Sequence, residues 1–255
     1  MFRRHRSFSY ALLILVSAFA LACGSSQPPA EQQPAKPVEP PKPVVDISKT
    51  MHDHLAQVDA MQDAVIRGDL EAVAAPANWI VNHEAIPMPA DIATYAPDIK
   101  KTAGMAAAAK DLTSAATATA QLVAACGACH VASKKGVTWS DAPKPGAGEG
   151  IQAHMLEHQW ALDLMHKGLA MPSDEAWKAG AAALKGSPLA TKALPKDEKL
   201  TKEVVAYEKK IHELAGKAET APDLGSKVAV YSEALVSCAS CHGLHGKVWG
   251  PGIVK

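Results

Sequence analysis

From about residue 46 onward this 255-residue chain is one unit written twice, and a duplication constrains a fold more than any composition figure does. The first segment of each copy aligns at an offset of 104: Met51 with Met155, His54 with His158, Asp59 with Asp163, Met61 with Met165, Glu71 with Glu175, Ala72 with Ala176. The last segments align at an offset of 112. There Ile99 matches Ile211, Ala103 matches Ala215, Asp111-Leu112 matches Asp223-Leu224, and Ser114 matches Ser226. In the same register Cys126-Gly-Ala-Cys129-His130 falls on Cys238-Ala-Ser-Cys241-His242. The second copy therefore gained eight residues between its second and third elements.

Within each copy apolar residues recur at three and four spacing and hardly ever alternate, which argues for helices and against strands. Four helices per unit are expected, near 47–67, 69–82, 96–110 and 112–131 in the first and near 150–170, 173–185, 199–217 and 222–243 in the second. Breakers fall between them: Gly68-Asp69, Pro87 and Pro89, Pro172-Ser173, Gly186 with Pro188, Pro195, and Pro222. A stretch rich in Pro and Gly, 141–150, links unit 1 (46–140) to unit 2 (151–255). The expected class is all-α, with two tandem four-helix bundles and each Cys-x-x-Cys-His on the last helix of its unit.

That motif is the attachment signature of a c-type haem. Residues three and four apart share a helix face. Cys126 and Cys129, and likewise Cys238 and Cys241, can therefore reach two vinyl groups as thioethers while His130 or His242 turns toward the iron. The expected cofactors are two covalently bound haems. A zinc site assembled from both thiol pairs, or a pair of disulfides, competes with this reading, but neither gives a reason for histidine to follow the second cysteine twice. Aromatic residues are 5% of the chain, and two buried porphyrins would supply flat apolar bulk that Phe and Trp normally provide.

The fifth and last cysteine, Cys23, closes an N-terminal pattern of Arg3, Arg4 and Arg6 followed by an apolar run from Tyr10 to Ala22, the pattern of a signal peptide (1–22). Leu21-Ala22-Cys23-Gly24 resembles the bacterial lipobox, whose cysteine is lipidated and becomes the new N-terminus; ordinary cleavage is the alternative. Residues 23–45 are rich in Pro, Gln, Glu and Lys, which cannot build a core and read as a tether reaching about 60 Å when extended. The expected location is exported, periplasmic or at the cell surface, lipid-anchored to a bacterial membrane. The Ala-rich run around Met105 to Ala125, broken by Lys110 and Asp111, is not expected to form a membrane span. The chain carries 26 basic and 26 acidic residues, a balance that argues against nucleic acid as a partner.

A haem motif on the last helix of a four-helix unit resembles the class II cytochromes, that is, the cytochrome c prime family and its six-coordinate, methionine-ligated relatives. The resemblance implies that the first helix of each unit crosses the distal haem face and is either apolar there or supplies a ligand. Met51, His54, Val58, Met61 and Val65 form one such stripe, and Met155, His158, Leu162, Met165 and Leu169 form its counterpart. His54 and His158 are the expected distal iron ligands, Met51 and Met155 the alternatives, and Met61 and Met165 packing residues. His52, His83, His154, His166, His212 and His245, which are not repeated, are assigned to solvent or structure, and Trp79, Trp160 and Trp177 to packing. The resemblance implies a single-electron carrier with redox proteins as partners, no enzyme activity and no small-molecule substrate. A five-coordinate haem that binds a diatomic gas is the alternative, and a haem peroxidase is disfavoured because no acid-base cluster repeats beside the motifs.

Overall fold

The structure is a computed structural model and describes residues 46–83, 88–134, 143–146, 148–186 and 189–248. The expected signal peptide, Cys23 and the Pro-rich tether lie outside the described residues. The first unit consists of α1 (Ile47–Ile66), α2 (Leu70–Asn82), a short α3 (Ala90–Ala93), α4 (Ala96–Ala107) and α5 (Leu112–Ser133). The second consists of α6 (Ile151–Ala170), α7 (Asp174–Leu184), α8 (Glu198–Glu219) and α9 (Leu224–Val248), with a 3-10 turn at Thr191–Ala193. Among the described residues there is no strand, and the eight long helices are those expected. The single turn of α3 was not expected, α4 stops short at Ala107, and α9 runs past Gly243 to Val248.

The helix starts follow from short polar side chains that accept the otherwise orphaned first-turn amides. Asp46, Asp69, Ser173 and Asp197 accept from the amides of Lys49, Ala72, Ala176 and Leu200. The two motif helices begin identically. Asp111 accepts from the Ser114 amide and Asp223 from the Ser226 amide, each at 2.7 Å. In α5 the Ser114 hydroxyl also receives the Asp111 amide, closing a capping box. This cap splits the Ala-rich run in two. Gly68 takes φ +73°, the left-handed turn that lets α1 reverse into α2.

In each unit the long helices pack in ring order, α1 on α2, α2 on α4, α4 on α5 and α5 on α1, then α6 on α7, α7 on α8, α8 on α9 and α9 on α6. The two rings are not separate cores. α5 lies against α9 and α6, α1 lies against α9, and the described residues belong to one compact body. Met61, Val65 and Leu122 share a single buried core with Met165, Leu169 and Leu235. Met61 and Met165 are wholly buried, as expected of packing residues, and Trp177 is buried with its Nε1 donating to the Ala218 carbonyl at 2.8 Å. The eight inserted residues lengthen α8 to 22 residues against 12 in α4. By length and composition α5 could cross a membrane, contrary to expectation, yet half of its apolar stretch is buried in the bundle.

The seam between units is polar where equivalent positions meet. Gln62 and His166 correspond across the 104 offset, and they touch: His166 Nδ1 donates to Gln62 Oε1 at 2.7 Å. Contact between equivalent positions is what a two-fold relation between repeats produces. The Tyr231 hydroxyl donates to the same oxygen, while Gln62 Nε2 donates to Asp163 at 3.1 Å, which fixes the orientation of the amide. Gln159 donates to the same Asp163 oxygen at 2.9 Å. The Gln62 amide, the His166 Nδ1 and the Tyr231 hydroxyl in this seam are thus matched, as burial demands.

His166 is 2% exposed, and burial lowers its pKa from 6.5 to about 4. The folded protein keeps it neutral while the unfolded chain takes up a proton below pH 6.5, so its contribution to stability is complete above that pH and is lost as the pH falls toward 4. A shift of this size caps the loss at about 3 kcal/mol. Chemical denaturation of wild type and His166→Gln at pH 7.5 and 4.5 checks this: the drop in stability is expected to be smaller in the variant by about 2 kcal/mol, and equal drops contradict it.

Candidate functional site

Both Cys-x-x-Cys-His segments sit inside helices, on the last two turns of α5 and in the C-terminal half of α9. What each histidine touches comes from the other unit. His130 Nδ1 lies 2.7 Å from the carbonyl oxygen of Ala170, the last residue of α6. His242 Nδ1 lies 2.8 Å from the carbonyl oxygen of Ile66, the last residue of α1. Ile66 and Ala170 are equivalent positions, so the same contact is made twice, reciprocally.

A carbonyl oxygen only accepts, so Nδ1 carries the proton in both rings. The last carbonyls of a helix lack intrahelical partners and stand at its negative end, which suits an N–H donor. The consequence is chemical: with Nδ1 protonated and fixed, the ring lone pair is on Nε2, the tautomer a metal requires. Burial also lowers the pKa of His242, against the opposing effect of its bond to Ile66, which keeps the ring neutral.

The four motif cysteines are unbridged. Burial pushes the thiols of Cys126, Cys238 and Cys241 up to about 12 and raises that of Cys129 as well. Redox-active dithiols need the opposite shift. Among the described residues the one convergence of three or more His, Cys, Asp or Glu ligand atoms contains no cysteine, so the two thiol pairs do not assemble the alternative zinc site.

Within the first unit, His54 lies in an aromatic corner built by α1 and the end of α2. Its ring meets Trp79 edge-on with centroids 5.5 Å apart and His83 edge-on at 5.1 Å, while Trp79 stacks on His83 at 4.2 Å. Lys100 Nζ ties the His83 carbonyl at 2.7 Å. The Nε2 atom of His54 is buried with no hydrogen-bond partner. Orphaned buried nitrogens are rare and call for an explanation. Burial, then the neighbouring His83, lowers the pKa of His54, leaving a neutral ring with a lone pair to offer.

In the second unit His158 has more company. His154, one turn earlier, lies 4.2 Å away between ring centroids. His154 Nε2 is 2.9 Å and 3.1 Å from the two Glu208 oxygens, and the Leu189 amide donates to that carboxylate at 3.3 Å. Burial alone would raise Glu208, but these bonds hold its pKa below the usual carboxylate range. His154, His158 and Glu208 place their ligand atoms within 4.8 Å of one another, a donor set that suits a divalent transition metal as well as an iron. Glu208, however, already occupies Nε2 of His154, which leaves His158 as the uncommitted nitrogen. Burial first, then repulsion that a protonated His158 would meet from the neighbouring imidazoles, outweighs the opposing effect of Glu208 and lowers His158 to about 4. His158 and the motif histidine His242 are close enough to interact electrostatically.

Of the two expected distal histidines, His54 has a buried nitrogen without a hydrogen-bond partner and His158 stands in the cluster with His154 and Glu208. Met51 and Met155 are only half-buried. The side chain of His245 lies outside the described residues. Glu208, His154 and His212 were missed as site residues, although two i, i+4 pairs, His154/His158 on α6 and Glu208/His212 on α8, signalled two facing helix turns. His212 Nε2 is buried and unpartnered, and with Glu208 and Leu194 it lines a cavity of about 560 Å³. Compared with known families, curated proteins and solved structures, the chain matches none.

In protein made without prosthetic groups, thiols held near pKa 12 are expected to alkylate at pH 8 at least about a hundredfold more slowly than the same chain in denaturant. Iodoacetamide labelling followed by mass spectrometry measures this, and equal rates contradict the burial argument.

Proposed function

We propose that this chain is a dihaem c-type cytochrome that carries single electrons, with Cys126, Cys129 and His130 holding one haem and Cys238, Cys241 and His242 the other. The observation that carries the reading is the reciprocal capping contact: both motif histidines spend Nδ1 on a helix-end carbonyl of the other repeat, which puts the ring proton on Nδ1, in a motif whose thiols burial keeps neutral. His54 and His158 are proposed as the second iron ligands. The unclaimed Nε2 of His54 and the placement of His158 near His242 support them over Met51 and Met155.

Bound haem supplies one chemistry, the reversible one-electron reduction of iron. The chain's part is to set how readily that happens. Histidine on both sides favours a lower potential than histidine with methionine, and the carbonyl on Nδ1 raises the basicity of each motif imidazole in the same direction. Wholly buried Met61, Met165, Leu122 and Leu235 keep water from the interior between the units. Nothing in this arrangement requires a substrate or an enzyme activity, and the balanced charge suits partners that are redox proteins rather than nucleic acid. Export, lipidation at Cys23 and a membrane-tethered place in the periplasm or at the cell surface complete the proposal.

A gas-binding reading has one foothold, in the second unit: the cavity beside Glu208 and His212, lined also by Leu189, Thr191 and Leu194. Absorption spectra with and without carbon monoxide separate the two readings. The carrier is expected to be low-spin and indifferent to the gas. His54→Ala is expected to turn half of the haem high-spin and open to one carbon monoxide per chain. Gas binding by the wild type favours the alternative, and unchanged spectra in the variant remove His54 as a ligand.

A further inference from the structure

Each motif lies at an edge where the other repeat begins to turn, and the approach is tighter at the first motif than at the second. Gly127, the first variable position of Cys-x-x-Cys-His, faces the end of α6 so closely that a Cβ there would fall 2.2 Å from the Leu169 carbonyl oxygen and 3.3 Å from Pro172 Cδ. Such a distance to backbone cannot be absorbed by a side-chain rotation. At the second motif Ala239 carries a Cβ in the corresponding place, and the Ala239 oxygen stands 3.7 Å from where a Cβ on Gly68 would be, an ordinary van der Waals distance. Attachment chemistry uses the two cysteines and the histidine and asks nothing of the residue at 127. Its glycine is therefore accounted for by the neighbouring helix end and not by the motif.

We propose that Gly127 is a positioning residue: it lets α5 settle against the end of α6, so that unit 2 orients and tunes the iron-binding imidazole of unit 1 through the Ala170 carbonyl, as unit 1 does for unit 2 through Ile66. This rests on the haem reading above and adds that neither site is complete within its own repeat. The contact acts through Nδ1. Lengthening it weakens the electron donation of His130 and makes the reduced state of that one centre easier to reach, while the contact of His242 with Ile66 is untouched. A partner that pries α5 from α6 would then change one potential and not the other.

The test is spectroelectrochemistry of the mature haem-loaded protein with Gly127→Ala, and with Ala128→Ser at the neighbouring, partly exposed variable position as control. Gly127→Ala is expected to favour reduction of one of two centres by about tenfold, which for a one-electron couple is about 59 mV, with the other centre and the control unchanged. Two unshifted potentials in a fully loaded Gly127→Ala protein overturn the proposal. A second measurement needs no variant: in the reduced wild type, imidazole Nδ1 protons of His130 and His242 are expected to exchange slowly and to show nuclear Overhauser contacts to Ala170–Met171 and Ile66–Arg67 respectively. Fast exchange, or contacts only within the histidine's own repeat, overturn it. Wild-type protein without haem defeats the underlying haem reading instead, so the two failures are distinguishable.

Discussion

The contact on which most of this structure depends is a hydrogen bond of under 3 Å between a ring nitrogen and the last carbonyl of a foreign helix, made once in each direction. It satisfies a helix end that would otherwise be left without a donor, and it fixes which nitrogen of the imidazole carries the proton. It also joins the repeats at both ends of their seam. A single hydrogen bond contributes only about 1 kcal/mol to stability, so its weight lies in orientation. The imidazole cannot rotate away from the thiols without breaking the cap of the opposite unit.

Between these two end contacts lies the polar centre of the seam, where Gln62 meets its own counterpart His166 and both share Tyr231. An apolar seam would have been stickier and less particular. The amide and the imidazole specify one register, because His166 and Tyr231 must both reach the Gln62 oxygen while Gln62 Nε2 reaches Asp163. The packing of α5 on α9 is thereby held in the arrangement that also delivers His130 to Ala170 and His242 to Ile66.

The helices were largely legible in the sequence, because helix periodicity, the paired Asp-x-x-Ser caps at Asp111 and Asp223 and the breakers between segments all act locally. The duplication was legible too, and it pointed to His54 and His158 by their recurrence. The same reasoning hid Glu208, His154 and His212. Weighing each histidine by whether it repeats discounts what only one copy possesses, and their counterparts in the first copy are Ala96, Thr50 and Lys100. The reach of each motif across to the other repeat could not be read at all. It is a docking between two surfaces, and it leaves only one trace in the sequence, a glycine inside a motif that does not need one.

The central claim is that the chain binds two haems through its two Cys-x-x-Cys-His segments. Intact mass together with a haem assay, on protein made in a host that matures c-type cytochromes, tests it most directly. The account predicts two covalently bound haems per chain, falling to one when Cys126 and Cys129 are both replaced by serine and likewise to one when Cys238 and Cys241 are replaced. Colourless wild-type protein at the mass of the bare polypeptide would contradict it.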